Sequence, residues 1–156
     1  MLDVPVESTY VWIGLALVGA SMLGLAVRVP TAPPPDAAAA ARTVDSVASS
    51  PYEARGQQPV DAEAIRLGSE RVGLRGDGGS AHAAFAYDTV VPTFSRDALT
   101  SVLHGRPPSA VFDDPAAFES AVAEARTYDS QWQPAPEQLL VRRVTWGGVD
   151  VTLVGA

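Results

Sequence analysis

The uncharged run from Tyr10 to Val27 constrains this chain more than any other stretch, its eighteen residues bracketed by Glu7 on one side and Arg28 on the other. At about 1.5 Å of rise per residue, a helix of that length nearly covers a hydrocarbon core of roughly 30 Å. Eight of the eighteen are Leu, Ile or Val. Each of these contributes roughly −0.3 to −0.6 kcal/mol to insertion near a bilayer centre. Tyr10 and Trp12 mark one end with rings suited to the headgroup level, and Arg28 can snorkel at the other. The run therefore predicts an N-terminal tail and a single transmembrane helix over residues 1–28, placing the protein in the cell membrane as a single-pass protein. A cleaved signal peptide fits less well, because Met1 to Thr9 holds no Lys or Arg and carries Asp3 and Glu7. A buried core helix of this length would show a polar stripe, and none is present. Ala16, Ala20 and Gly24 fall at i, i+4 and i+8, a small-residue stripe that lets a second helix approach and so offers a route to a homo-oligomer.

The remainder, about 125 residues, suffices for one small domain. All 11 basic residues are Arg, set against 18 acidic ones, and Lys, Asn and Cys are absent. An acidic, Lys-free surface points to a halophile, since molar salt shortens the Debye length to about 3 Å and screens the self-repulsion. The same acidity, with no basic patch expected, argues against a nucleic-acid partner. The lack of Cys removes disulfides, thiolate catalysis and cysteine metal sites together.

Val29 to Pro35 carries four prolines and reads as a semi-rigid spacer, leaving residues 36–156 as the soluble domain. Asp36 caps an alanine-rich helix through about Ala48, with Ala40, Val44, Val47 and Ala48 on one face, and Pro51 ends it. Tyr52 to Ala62 reads as a loop broken by Gly56 and Pro59. From Ala64 the period becomes two, giving a three-stranded meander through Ile65 and Leu67, then Val72 and Leu74, then Ala81, Ala83, Phe85 and Tyr87. Asp97 to His104 follows a Ser95 cap as a short helix with Leu99, Val102 and Leu103 on one face. Pro115 to Tyr128, capped by Asp114, is a helix with Phe118, Ala121, Val122 and Ala125 as its stripe. The chain closes in a hairpin about Gly147-Gly148. That turn sets Trp146 against Val149, Val144 against Val151 and Arg142 against Leu153 on an apolar face, with Arg143–Thr152 and Thr145–Asp150 on a polar one. The fold class predicted is α+β: the transmembrane helix, then a small domain with an antiparallel sheet of about five strands and helices packed on one face.

No chemistry-bearing constellation stands out. His82 falls on the strand face opposite Phe85, where a surface histidine is the simpler reading. Ser80 and Asp77 sit in a glycine-rich turn, and Asp113-Asp114 is explained by capping. Gly76 to Gly79 lacks the spacing of a phosphate cradle. No catalytic, metal or cofactor-binding residue is expected, and no cofactor.

Three stretches carry a resemblance: Tyr10-Val11-Trp12, Arg75 to Gly79 running into Ala81 to Tyr87, and Arg142 to Leu153. They resemble an uncharacterised family of haloarchaeal single-pass membrane proteins, over nearly the whole chain. Such proteins look like accessories of archaeal type IV pilus or secretion loci, so the resemblance implies the bilayer and a protein partner in a membrane assembly. It assigns no functional residues. The chain departs from a pilin pattern in lacking a Lys/Arg-Gly processing site before the apolar run, although Glu7 resembles the acidic residue that pilins keep there. The expected role is a non-enzymatic, membrane-anchored accessory of a surface-filament or secretion assembly. The other reading is a sensor or binding module for a small ligand or envelope component.

The acidic surface predicts a salt requirement. Thermal unfolding of the full chain should shift to lower temperature and lose cooperativity between molar and millimolar KCl. A melting temperature unchanged across that range contradicts the halophile reading.

Overall fold

The computed structural model describes residues 10–18, 20, 32–93 and 98–156. The chain forms two compact units, Met1–Thr31 and Ala32–Ala156. In the first, residues 10–18 and 20 are helical (α1), with Tyr10, Trp12, Leu15 and Leu17 exposed.

The expected membrane helix is corrected here: among the described residues, no helix is long and apolar enough to cross a membrane. The nine consecutive helical residues 10–18 rise about 14 Å, half of the roughly 30 Å that a span requires. The single-pass membrane location expected from the run falls with it. Residues 19 and 21–27 of that run lie outside the described residues. Of the proposed packing stripe, Ala16 and Ala20 are helical and exposed, and Gly24 lies outside the described residues.

The second unit runs α2 (Ala37–Ala48), β1 (Arg55–Pro59), β2 (Ala64–Leu67), β3 (Arg71–Gly76), β4 (Gly79–Ala84), β5 (Val90–Pro92), α3 (Ala98–Leu103), α4 (Pro115–Thr127), β6 (Gln133–Pro134), β7 (Gln138–Trp146) and β8 (Val149–Gly155). The class is α+β, but the single sheet of about five strands is corrected to two sheets of four. Sheet A has the order β1-β7-β8-β5 and sheet B the order β4-β3-β2-β6. One pair, β5 with β8, is parallel.

The helices form where the sequence places them. Asp36 accepts a hydrogen bond from Ala39 N at 2.8 Å and opens α2. Asp114 does the same for α4, accepting from Ala117 N at 2.7 Å, with Pro115 in the first turn, where its missing N–H costs nothing. Leu99, Val102 and Leu103 of α3 are buried, as expected, while its expected cap Ser95 lies outside the described residues. The meander β2-β3-β4 is present, with β4 ending at Ala84 short of the expected Tyr87, and the β7–β8 register follows the sequence expectation. Gly147 and Gly148, at φ 59° and 87°, supply the two left-handed positions that a two-residue hairpin turn needs.

The placement of the helices differs from the expectation, because sheet A is covered on both faces. On one face, α2 lies between the two sheets. Its Ala40, Val44 and Val47 share a core with Leu139, Val141 and Val154 of sheet A and with Ile65, Leu67, Val72 and Leu74 of sheet B. On the other face, α3 and α4 form a second core, in which Leu99, Val102, Phe118 and Val122 meet Val144, Val151 and Leu153. Phe118 is fully buried, its ring 5.9 Å from that of Trp146 and 5.4 Å from that of Phe112. The hairpin's apolar face therefore packs against the helix bearing Phe118, whereas the face expected to be polar turns into the first core.

Adjacent arginines on β7 close a helix on each side. Arg142, only 6% exposed, donates to the carbonyls of Val102 in the last turn of α3 and, at 3.0 Å, of Arg106 beyond it. Arg143 donates to Ala48 O at 2.6 Å and to Ser50 O at the end of α2, and it pairs with Asp150. Helix C-termini leave carbonyls without intrahelical donors, and a guanidinium meets several at once. Burial pushes the Arg142 pKa down from its ordinary value, nearby Arg55 lowers it further, and Glu53 at 3.8 Å opposes both. Because the folded pKa is depressed in a base, the shift opposes folding at every pH below it and is relieved only as pH rises toward the unfolded value. The backbone bonds offset that cost.

Phe118→Ala should destabilise the fold by about 3–5 kcal/mol, the usual cost of emptying a filled aromatic site. Thr145→Ala, at an exposed position in the same hairpin, should stay within about 0.5 kcal/mol of the parent. Denaturant unfolding of both in one salt checks this, and a Phe118→Ala protein as stable as the parent contradicts the second core.

Candidate functional site

Strand alternation fixes the two faces of sheet B. Ile65, Leu67, Val72 and Leu74 turn inward to α2, so Arg66, Arg71, Gly73 and Arg75 turn outward. Cross-strand register sets Arg66 and His82 on either side of Gly73. The segment that leaves α4, Arg126 to Ser130, makes the other wall. Between them lies a groove of about 450 Å³ whose charged lining comprises Arg66, Arg71, Arg126, Glu70 and Asp129, with His82 and Ser130 beside them.

Two of the outward cations are held in place. The Nε–H of Arg66 donates to Ser130 O at 2.9 Å and to Ser130 Oγ at 3.2 Å, which leaves its two terminal nitrogens for other acceptors. Next to the groove, the Arg75 guanidinium lies 4.5 Å from the Trp132 ring centre, an arrangement that orients the cation without neutralising it. Trp132 also meets the His82 ring edge-on, with centroids 5.8 Å apart. Gly73 makes room for this cluster, since a Cβ there would fall 2.6 Å from His82 Nδ1 and 3.1 Å from Trp132 Cη2.

The charge balance is the distinctive feature. Among the described residues, ion pairs join Arg42 to Asp36, Arg142 to Glu53 and Arg143 to Asp150. Arg66, Arg71, Arg75 and Arg126 form none, although the chain carries a net charge of −7. Exposed guanidinium groups gathered on one face, not ion-paired to the Glu70 and Asp129 that share the groove, are suited to hold a carboxylate or phosphate through forked hydrogen bonds.

Catalysis finds less support. His82 contacts Trp132, and neither Glu70 nor Asp129 bonds to its ring. No group of three His, Cys, Asp or Glu among the described residues could hold a metal ion. His104 is exposed at the end of α3, and Ser80 lies near the β3–β4 turn that contains Asp77. A smaller hollow of about 180 Å³ around Ile65, Thr93, Pro134 and Leu139 offers no charged side chain.

The arginine groove escaped the sequence reading, which saw an acidic chain with no basic cluster. Its signal was present in the parity of the meander: if Val72 and Leu74 face inward, Arg71, Gly73 and Arg75 must face outward. The contributions of Arg126 and Trp132, more than fifty residues on, had no local signal.

A family model described as a family of unknown function, DUF7283, matches residues 3–144. No curated protein and no solved structure matches the chain.

Proposed function

The chain belongs to the DUF7283 family, whose function is unknown, and from its own geometry we propose that it is a non-enzymatic binding module that recognises an anionic group on the outer face of sheet B. The observation that carries this reading is the gathering of Arg66, Arg71 and Arg126 around one groove with no carboxylate partner among the described residues, in a chain that is acidic overall. Preorganisation supports it as well, because Ser130 fixes Arg66 before any ligand arrives. Neither Glu70 nor Asp129 bonds to His82 or to Ser130 in the groove, which supports binding over acid–base or nucleophilic chemistry there. Under this reading the anion belongs to a partner protein, in keeping with the accessory role in a surface-filament or secretion assembly that the sequence resemblance implies.

Calorimetric titration of the full chain with inorganic phosphate and with pentaglutamate tests the reading. Arg66→Gln, Arg71→Gln and Arg126→Gln combined should weaken binding at least tenfold with the melting temperature within a few degrees of the parent, and Arg42→Gln on α2 should change nothing. Equal binding by the triple variant and the parent contradicts the proposal.

A further inference from the structure

The four sheet edges are not alike. In sheet A, β5 is three residues long, fully buried and ends in Pro92, and β1 carries Arg55 at its start and Pro59 at its end. In sheet B, β6 has two residues, one of them Pro134. Short length, charge and proline are the devices by which proteins close an edge to further pairing. The remaining edge, β4, has none of them, with six residues reading Gly-Ser-Ala-His-Ala-Ala, without charge or proline.

The hydrogen-bond phase of β4 is fixed by its neighbours. Phe85 N donates to Glu70 O at 2.8 Å, so positions 70 and 85 form a bonded pair. Because bonded and non-bonded pairs alternate, Val72–Ala83 and Leu74–Ala81 are bonded to each other, whereas Arg71–Ala84, Gly73–His82 and Arg75–Ser80 are not. Ser80, His82 and Ala84 therefore direct their backbone N–H and C=O groups to the open edge. The next residue of that series, Ala86, donates its N–H to Asp45 Oδ1 of α2 at 2.9 Å. A carboxylate thus already takes the place of a strand partner at the end of the row, and three positions stay open.

Resting on the groove reading above, we infer that the partner is an extended acidic segment of another protein, which adds antiparallel to β4 as a fifth strand of sheet B and sends carboxylates toward the arginine face. Strand addition of this kind takes its affinity from main-chain bonds and its specificity from alternate side chains. In an added strand, the residues opposite His82 and Ala84 exchange main-chain bonds with them and share their outward face. A hollow of about 190 Å³ lined by Glu70, Arg71, His82, Ala83 and Ala84 opens there. Ala84 is small, so a glutamate opposite it reaches the unpaired Arg71. A second copy of this chain would bring its own His82 and Arg71 to the seam in place of a carboxylate.

The test uses the full chain and three fluorescein-labelled ten-residue probes: alternating Thr-Glu, the same peptide N-methylated on every Glu, and the same peptide N-methylated on every Thr. If Glu residues pair with β4, their N–H groups face the edge and those of Thr face away. Fluorescence anisotropy should then show at least a tenfold loss of affinity for the Glu-methylated probe and a change within about threefold for the Thr-methylated one. Hydrogen exchange should slow at the amides of Ser80, His82 and Ala84 when the parent peptide is bound. Ala84→Pro should weaken the parent peptide at least tenfold, and the methylated probes make the same distinction on the unaltered protein if that variant does not fold. Equal binding of all three probes overturns strand addition while leaving the arginine groove standing. Binding of inorganic phosphate without binding of the peptide has the same consequence. If neither binds, both readings fail. Concentration-dependent dimerisation that protects the same three amides without peptide overturns the proposal in favour of a second copy.

Discussion

The β7–β8 hairpin is the constraint on which the second unit depends, because it serves as the wall of two cores at once. A strand buried on one face only alternates apolar and polar residues, but β7 reads Leu139-Leu140-Val141-Arg142-Arg143-Val144 with apolar or cationic groups on both sides. The two arginines resolve the difficulty this creates. On each side of the sheet a helix ends in contact with β7, and its last carbonyls would lie against an apolar strand without donors. Arg142 supplies them to α3 and Arg143 to α2. Neighbouring residues on a strand point in opposite directions, so the Arg-Arg pair serves both faces from one place in the chain.

Close approach by α2 is the second requirement, and alanine meets it. Ala37, Ala40 and Ala41 let the helix settle between two sheets whose facing side chains fill the space around it. At Gly56 the contact reaches the strand backbone, since a Cβ there would lie 2.8 Å from Val47 Cγ2. That glycine reads as a breaker in the sequence and is instead the place where the helix touches β1. Pro59 misleads in the same way, for it ends an edge strand where its missing N–H is no loss.

What the sequence made legible follows from this division of labour. Capped helices and the two hairpins rest on local rules, namely Asp36 and Asp114 as caps, Gly147-Gly148 as a turn and alternation through Val72 and Leu74, and these hold in the structure. Elements that exist only through distant partners were missed: β1 pairs with β7, β5 with β8 and β6 with β2, each across more than fifty residues. A three-residue strand such as Val90–Pro92 has no period to detect. The second cover on sheet A was invisible for a related reason, since Thr152 and Arg143 look like a solvated face until α2 is placed over them. The N-terminal run is the instructive miss, because apolar composition alone pointed to a spanning helix and the described helical residues do not reach that length. The candidate site lay between these extremes, its β2 and β3 arginines implicit in strand parity and its Arg126 and Trp132 wall dependent on the tertiary fold.

Native-state hydrogen exchange tests the shared-wall account most directly. If the hairpin joins both cores, the amides of Val144 and Leu153, bonded across β7 and β8, should exchange only through global unfolding and rank with the slowest in the chain, while amides on α3, α4 and β4 open at lower free energy. Amides of α2 or of the β2–β3 pair that outlast those of Val144 and Leu153 would mean that the cores open around the hairpin, and would contradict its role as the element on which the fold depends.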